Sequence, residues 1–113
     1  MENLNYSGAI KQIFLEHLQY AQQDKTVETQ VIFDDDRGRY LLLNVGWQDE
    51  QRIYGCPIHV EIKDEEIWIQ RDFTEPGITR ELIALGVPQN KIVPAYRSPF
   101  VRQLINSTVA EVS

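Results

Sequence analysis

At 113 residues, with 42% hydrophobic and 25% charged content, the chain has the size and composition of one globular domain spanning residues 1–113. Its formal net charge of −6 removes the electrostatic term on which unaided nucleic-acid binding depends, so no direct nucleic-acid partner is expected. No apolar run approaches the ~20 residues of a membrane span, no signal-peptide pattern opens the chain, and the lone Cys56 fits a reducing compartment. A cytoplasmic location is therefore expected.

From Leu4 to Ala21, Tyr6, Ile10, Ile13, Phe14, Leu18 and Ala21 recur at three- and four-residue steps, which predicts an amphipathic helix with one core-facing stripe. Period two then takes over. Val27 to Asp34 reads as a half-buried strand, and Asp35-Asp36-Arg37-Gly38 supplies a turn. Tyr40 to Trp47 predicts a second strand with Leu41, Leu43, Val45 and Trp47 on the core face. Arg52 to Lys63 predicts a third with Tyr54, Cys56, Ile58, Val60 and Ile62 on that face, although Pro57 signals a bulge or an unpaired edge. Glu66 to Asp72 predicts a fourth, carrying Ile67 and Ile69. Short turns make these four an antiparallel meander, since parallel neighbours need long crossovers. Beyond them, Thr74 is a plausible cap for a short helix through Ile78, Leu82 and Leu85, ended by Gly86. Lys91 to Pro94 reads as a turn and a short extended piece, and Phe100 to Ile105 as a last helical turn or two. The expected class is α+β: an N-terminal helix on a four-stranded antiparallel meander, with a short C-terminal helical segment.

Catalytic patterns are missing. His17 and His59 are the only histidines, and no His-x-x-x-His or Cys-x-x-Cys spacing suggests a metal or another cofactor. Cys56 and His59, three apart in a strand, point to opposite faces and make a poor nucleophile–base pair. The acidic turns gather Asp34, Asp35 and Asp36 near Asp64, Glu65 and Glu66, but their spacing matches no calcium loop, and such runs are usually solvated. The sheet face turned from the helix is more informative. Tyr40, Leu42, Asn44, Ile53, His59 and Trp68 are expected there, too apolar a set for a face left to water. Either residues 78–105 cover it or a second copy or partner does. Leu82 to Ala110 holds Lys91, Arg97 and Arg102 and no acid, so Arg97 and Arg102 join Tyr40, Leu42, His59 and Trp68 as candidate partner-binding residues.

Several segments resemble the XisI family of excision-controlling factors for the fdxN element, a developmental DNA rearrangement. They are Val31-Ile32-Phe33-Asp34, the run from Tyr40 to Trp47, Arg52-Ile53-Tyr54-Gly55-Cys56, His59 to Asp64, Ile67-Trp68-Ile69-Gln70, Glu81 to Pro88 and Arg102-Gln103. The sequence departs from the pattern at Glu65, where a glycine is expected after Asp64, and in the tail after Gln103. The resemblance implies an accessory protein, with no assigned catalytic residues, that acts beside a nuclease-like XisH protein and a separate recombinase. The leading expectation is a non-catalytic regulatory subunit that binds an XisH-like protein, with a homodimer as a further assembly. A direct DNA-binding accessory factor and an antitoxin-like nuclease inhibitor are the alternatives.

Overall fold

A computed structural model describes residues 5–21 and 26–104 of the chain. Helix α1 (Tyr6–Ala21) starts where Asn5 caps it: the Asn5 side-chain oxygen accepts the Gly8 N–H at 2.9 Å. Ile10, Ile13 and Phe14 form its buried stripe. Leu4, the expected start, lies outside the described residues.

Strands β1 (Val27–Asp34), β2 (Arg39–Gln48), β3 (Gln51–Lys63) and β4 (Glu66–Asp72) form the expected antiparallel meander. A fifth strand, β5 (Ile92–Pro94), pairs in parallel with β4, so the sheet is mixed, with order β1-β2-β3-β4-β5. Helix α2 (Ile78–Ala84) lies in the crossover that a parallel pairing requires. Past β5, residues 99–104 are helical. Ile105, the expected end of that segment, lies outside the described residues.

α1 packs on one sheet face, and the register shows which side chains lie beneath it. Phe33 pairs opposite Tyr40, Tyr40 opposite Val60, and Val60 opposite Ile69; Leu42 pairs opposite Ile58. Phe14, Phe33 and Tyr40 form a chain of tilted rings with centroids 6.0 Å apart. Tyr40 and Leu42 are thus core residues, 1% and 4% exposed, and not members of the far face. The inversion has a physical source. Tyr40-Leu41-Leu42-Leu43 is apolar at both parities, so alternation alone cannot choose a face, and a one-residue change of phase flips every side chain.

A second correction comes from the bulge foreshadowed by Pro57. Between the Leu42–Ile58 and Asn44–Gly55 pairs, Leu43 alone opposes Cys56 and Pro57. The extra residue reverses the phase of β3, so Tyr54 pairs with Val45 on the far side and is 69% exposed rather than in the core. Trp47, also expected inside, is 53% exposed, with the Arg52 guanidinium 5.5 Å from its ring centre.

Thr74 does not cap α2. Its amide and hydroxyl donate to one oxygen of Asp72, whose other oxygen accepts the Ile78 N–H at 2.7 Å, so the carboxylate ending β4 also holds the helix start. Gly86 ends α2 as expected: with φ +101°, it lets Val87 N–H reach the Leu82 carbonyl at 3.0 Å and Gly86 N–H the Ile83 carbonyl at 2.9 Å. The β3–β4 turn forms despite the missing glycine, with Asp64 and Glu65 both left-handed at φ +54° and +61°.

Candidate functional site

The face opposite α1 is built from the alternate residues of the same strands. β2 contributes Leu41, Leu43 and Val45, all half-buried, and β1 contributes Ile32, which is exposed. From β3 come His59, opposite Leu41, and Tyr54, opposite Val45. β4 contributes Trp68, opposite Glu61 on one side and Val93 on the other. Both tryptophans of the chain, Trp47 and Trp68, therefore stand on this side of the sheet.

Trp68 is the centre of its β4 end. Lys63 Nζ stands 4.1 Å from the ring centre, and the guanidinium of Arg102, from the helical segment over 99–104, lies 5.5 Å from it. Both contacts are cation–π in kind, which holds two positive charges over an apolar surface. The Trp68 Nε1–H and the Arg102 Nε–H are buried without a hydrogen-bond acceptor among the described residues. Two orphaned donors side by side are unusual in a folded chain, where buried N–H groups nearly always find a partner. Beside them His59 Nε2 lies 3.1 Å from Glu61 Oε2.

His59 and Trp68 therefore lie on the far face as expected and the Arg102 guanidinium packs over Trp68, whereas Tyr40, Leu42, Asn44 and Ile53 lie on the α1 side. Arg97 is exposed in the turn after β5, its guanidinium 5.3 Å from the Tyr96 ring centre. Ile32, Leu41, Leu43, Val45, Trp47, Tyr54 and Lys63 belong to the face and were missed. The Pro57 bulge was the signal that would have placed Tyr54 there.

The remaining reactive groups are otherwise engaged. Burial pushes the Cys56 thiol up from its ordinary pKa, and Sγ donates to the Ile58 carbonyl at 3.1 Å. Asp34 accepts the Arg37 backbone N–H and guanidinium, which hold its carboxyl below the usual range. Asp35 accepts from Lys11 Nζ and, at 2.9 Å, from the Tyr40 hydroxyl, and both lower its pKa. The Tyr40 phenol is correspondingly pushed up to about 12, by burial first and by the Asp35 carboxylate second. Among the described residues no cluster of three His, Cys, Asp or Glu is placed to hold a metal ion, and no helix is long and apolar enough to cross a membrane.

Comparison with known proteins gives a consistent picture. The family profile described as XisI protein matches residues 1–109. The crystal structure of a XisI-like protein from Anabaena variabilis superposes with a TM-score of 0.82 at 38% identity, covering 88% of this chain and 91% of that one. The structure of the fdxN element excision controlling factor XisI from Anabaena variabilis superposes with a TM-score of 0.74 at 28% identity, covering 86% of this chain and 94% of that one. No curated protein matches.

Proposed function

Since the chain belongs to the XisI family, we propose that it is a non-catalytic, cytoplasmic accessory factor in the control of DNA-element excision, acting by binding another protein through the sheet face around Trp68. The observation that carries this reading is the face itself. α1 covers one side of the sheet, whereas the other keeps Ile32, Trp47 and Tyr54 43%, 53% and 69% exposed. On the same side, two buried donors at Trp68 and Arg102 lack acceptors among the described residues. An apolar surface rich in Trp and Tyr with Arg at hand has the composition in which binding energy concentrates. The partner is an XisH-like, nuclease-like protein, as the family resemblance suggests. A negatively charged regulator complements the basic surface that a nuclease presents to DNA.

The test is co-purification of the chain with an XisH-type protein, repeated with Leu43→Arg, which places a charge on the face without entering the core. Capture of the native chain and loss of capture by the variant support the reading; equal capture of both overturns it. In parallel, duplex DNA is titrated at several salt concentrations. Submicromolar binding with a steep salt slope would replace the adaptor reading with direct DNA binding. A concentration-dependent dimer in light scattering, abolished by Leu43→Arg, would assign the face to a second copy.

A further inference from the structure

A groove of ≈ 630 Å³ opens on the helix side of the sheet, between α1, α2 and the segment that precedes α2. The two helices are tied across it by His17, whose Nε2 lies 3.2 Å from both carboxylate oxygens of Glu81. The groove presents apolar surface from Pro76, Ala84 and Leu85 above the buried Ile13, and carboxylates from Glu16, Glu75 and Glu81. Glu81 is engaged by His17, but Glu16 and Glu75 are exposed and make no hydrogen bond or ion pair with any described residue. Tyr20, 81% exposed, adds an aromatic ring, and no Lys or Arg among the described residues lines the groove.

We propose that this groove is a docking site for a basic peptide segment of a protein partner, taking an Arg or Lys side chain between Glu16, Glu75 and Tyr20. The fit is chemical. A long cationic side chain lays its methylene stem on apolar surface and carries its charge to the edge. Leu85, Ala84 and Pro76 offer that surface, and Glu16 and Glu75 offer exposed carboxylates to the charged head. Tyr20 offers a ring on which a guanidinium stacks. The volume is that of a pocket for a small ligand or a few residues of peptide rather than for a folded surface, and the net charge of −6 draws basic segments toward the chain. An acidic or phosphorylated segment would meet these carboxylates with no Lys or Arg among the described lining residues to answer it. The site lies across the sheet from the Trp68 face and does not depend on what binds there.

The experiment is a titration of the full isotope-labelled chain with acetyl-Leu-Arg-Ile-Arg-Leu-amide, followed by amide chemical shifts. The acidic analogue acetyl-Leu-Glu-Ile-Glu-Leu-amide is titrated in parallel. Saturable shifts centred on Ile13, Tyr20, Ala84 and Leu85 are expected with the basic peptide alone. The affinity should fall about tenfold in the Glu16→Gln/Glu75→Gln variant, and also on raising the salt. Both substitutions are at exposed positions, so folding is retained, and the unchanged amide spectrum away from the groove verifies it. No saturable shift with the basic peptide, equal binding of the acidic one, shifts confined to the Trp68 face, or undiminished affinity in the variant would each overturn the proposal.

Discussion

Leu42→Ala is expected to destabilise the fold by about 3 kcal/mol, and its neighbour Leu43→Ala by about 1 kcal/mol or less. Leu42 is 4% exposed in the core beneath α1, with Val31 opposite it on one strand and Ile58 on the other. Truncation removes three carbons, each contributing about 0.8 kcal/mol of transfer energy, or about 2.4 kcal/mol before any cavity is counted. Pinned between two paired strands, the site can collapse only partly, which adds a further fraction of a kilocalorie. Leu43 sits opposite the bulge on the other face and is half-buried, so its truncation opens to solvent and leaves no cavity. With an unfolding entropy of about 2.1 cal/mol/K per residue, 3 kcal/mol lowers the melting temperature of this 113-residue chain by about 12 °C. Leu43→Ala should lower it by about 4 °C or less by the same conversion. Urea denaturation followed by circular dichroism measures both. Equal losses, or a larger loss for Leu43→Ala, would mean that the sheet presents its other face to α1.

Glu65→Gly should stabilise the chain by about 0.5–1 kcal/mol, because Glu65 holds φ +61°, a conformation that disfavours a side chain; an unchanged or lower urea midpoint would contradict this. Tyr40→Phe tests the phenol that Asp35 holds. Because the folded pKa, about 12, lies above the ordinary value of about 10, the fold favours the neutral phenol. That contribution is fully present below pH 10 and is lost as pH rises through 10 toward 12. Wild-type stability should therefore fall more steeply than that of Tyr40→Phe over this window, and parallel curves would refute the assignment. Asp72→Ala should cost about 1–2 kcal/mol and loosen α2, because three donors lose their acceptor; amide exchange over Ile78–Leu82 no faster than in the wild type would exclude it.

The elements that announce themselves by period were legible before any coordinates. The stripe Ile10, Ile13, Phe14 located α1, and the alternation Ile58, Val60 and Ile67, Ile69 located β3 and β4. β5 was legible only as a short extended piece; its parallel pairing with β4 was not, because three residues are too few to show a period and the partner is fixed by the α2 crossover. Tyr40 and Leu42 were assigned to the wrong face because their neighbours are equally apolar. The deciding information was the pairing of Tyr40 with Val60, a contact distant in sequence. Tyr54 failed for a different reason, since a bulge shifts phase and Pro57 marked its place without revealing its consequence. Of the candidate face, alternation placed His59 and Trp68 on the side away from α1, whereas the position of Arg102 over Trp68 was not legible. The orphaned donors, and Lys63 over the Trp68 ring, depend on geometry that no local pattern encodes.

The most direct measurement of the binding role is calorimetric titration of the chain against an XisH-type protein, with Trp68→Ala and Leu42→Val compared at equal folded fraction. Trp68 lies at the proposed contact and Leu42 in the core. Trp68→Ala should therefore weaken binding by about 2 kcal/mol, some thirtyfold, while Leu42→Val leaves it unchanged. Full-strength binding by Trp68→Ala, or no heat of binding with the wild-type chain, would contradict the assignment of the Trp68 face as the partner surface.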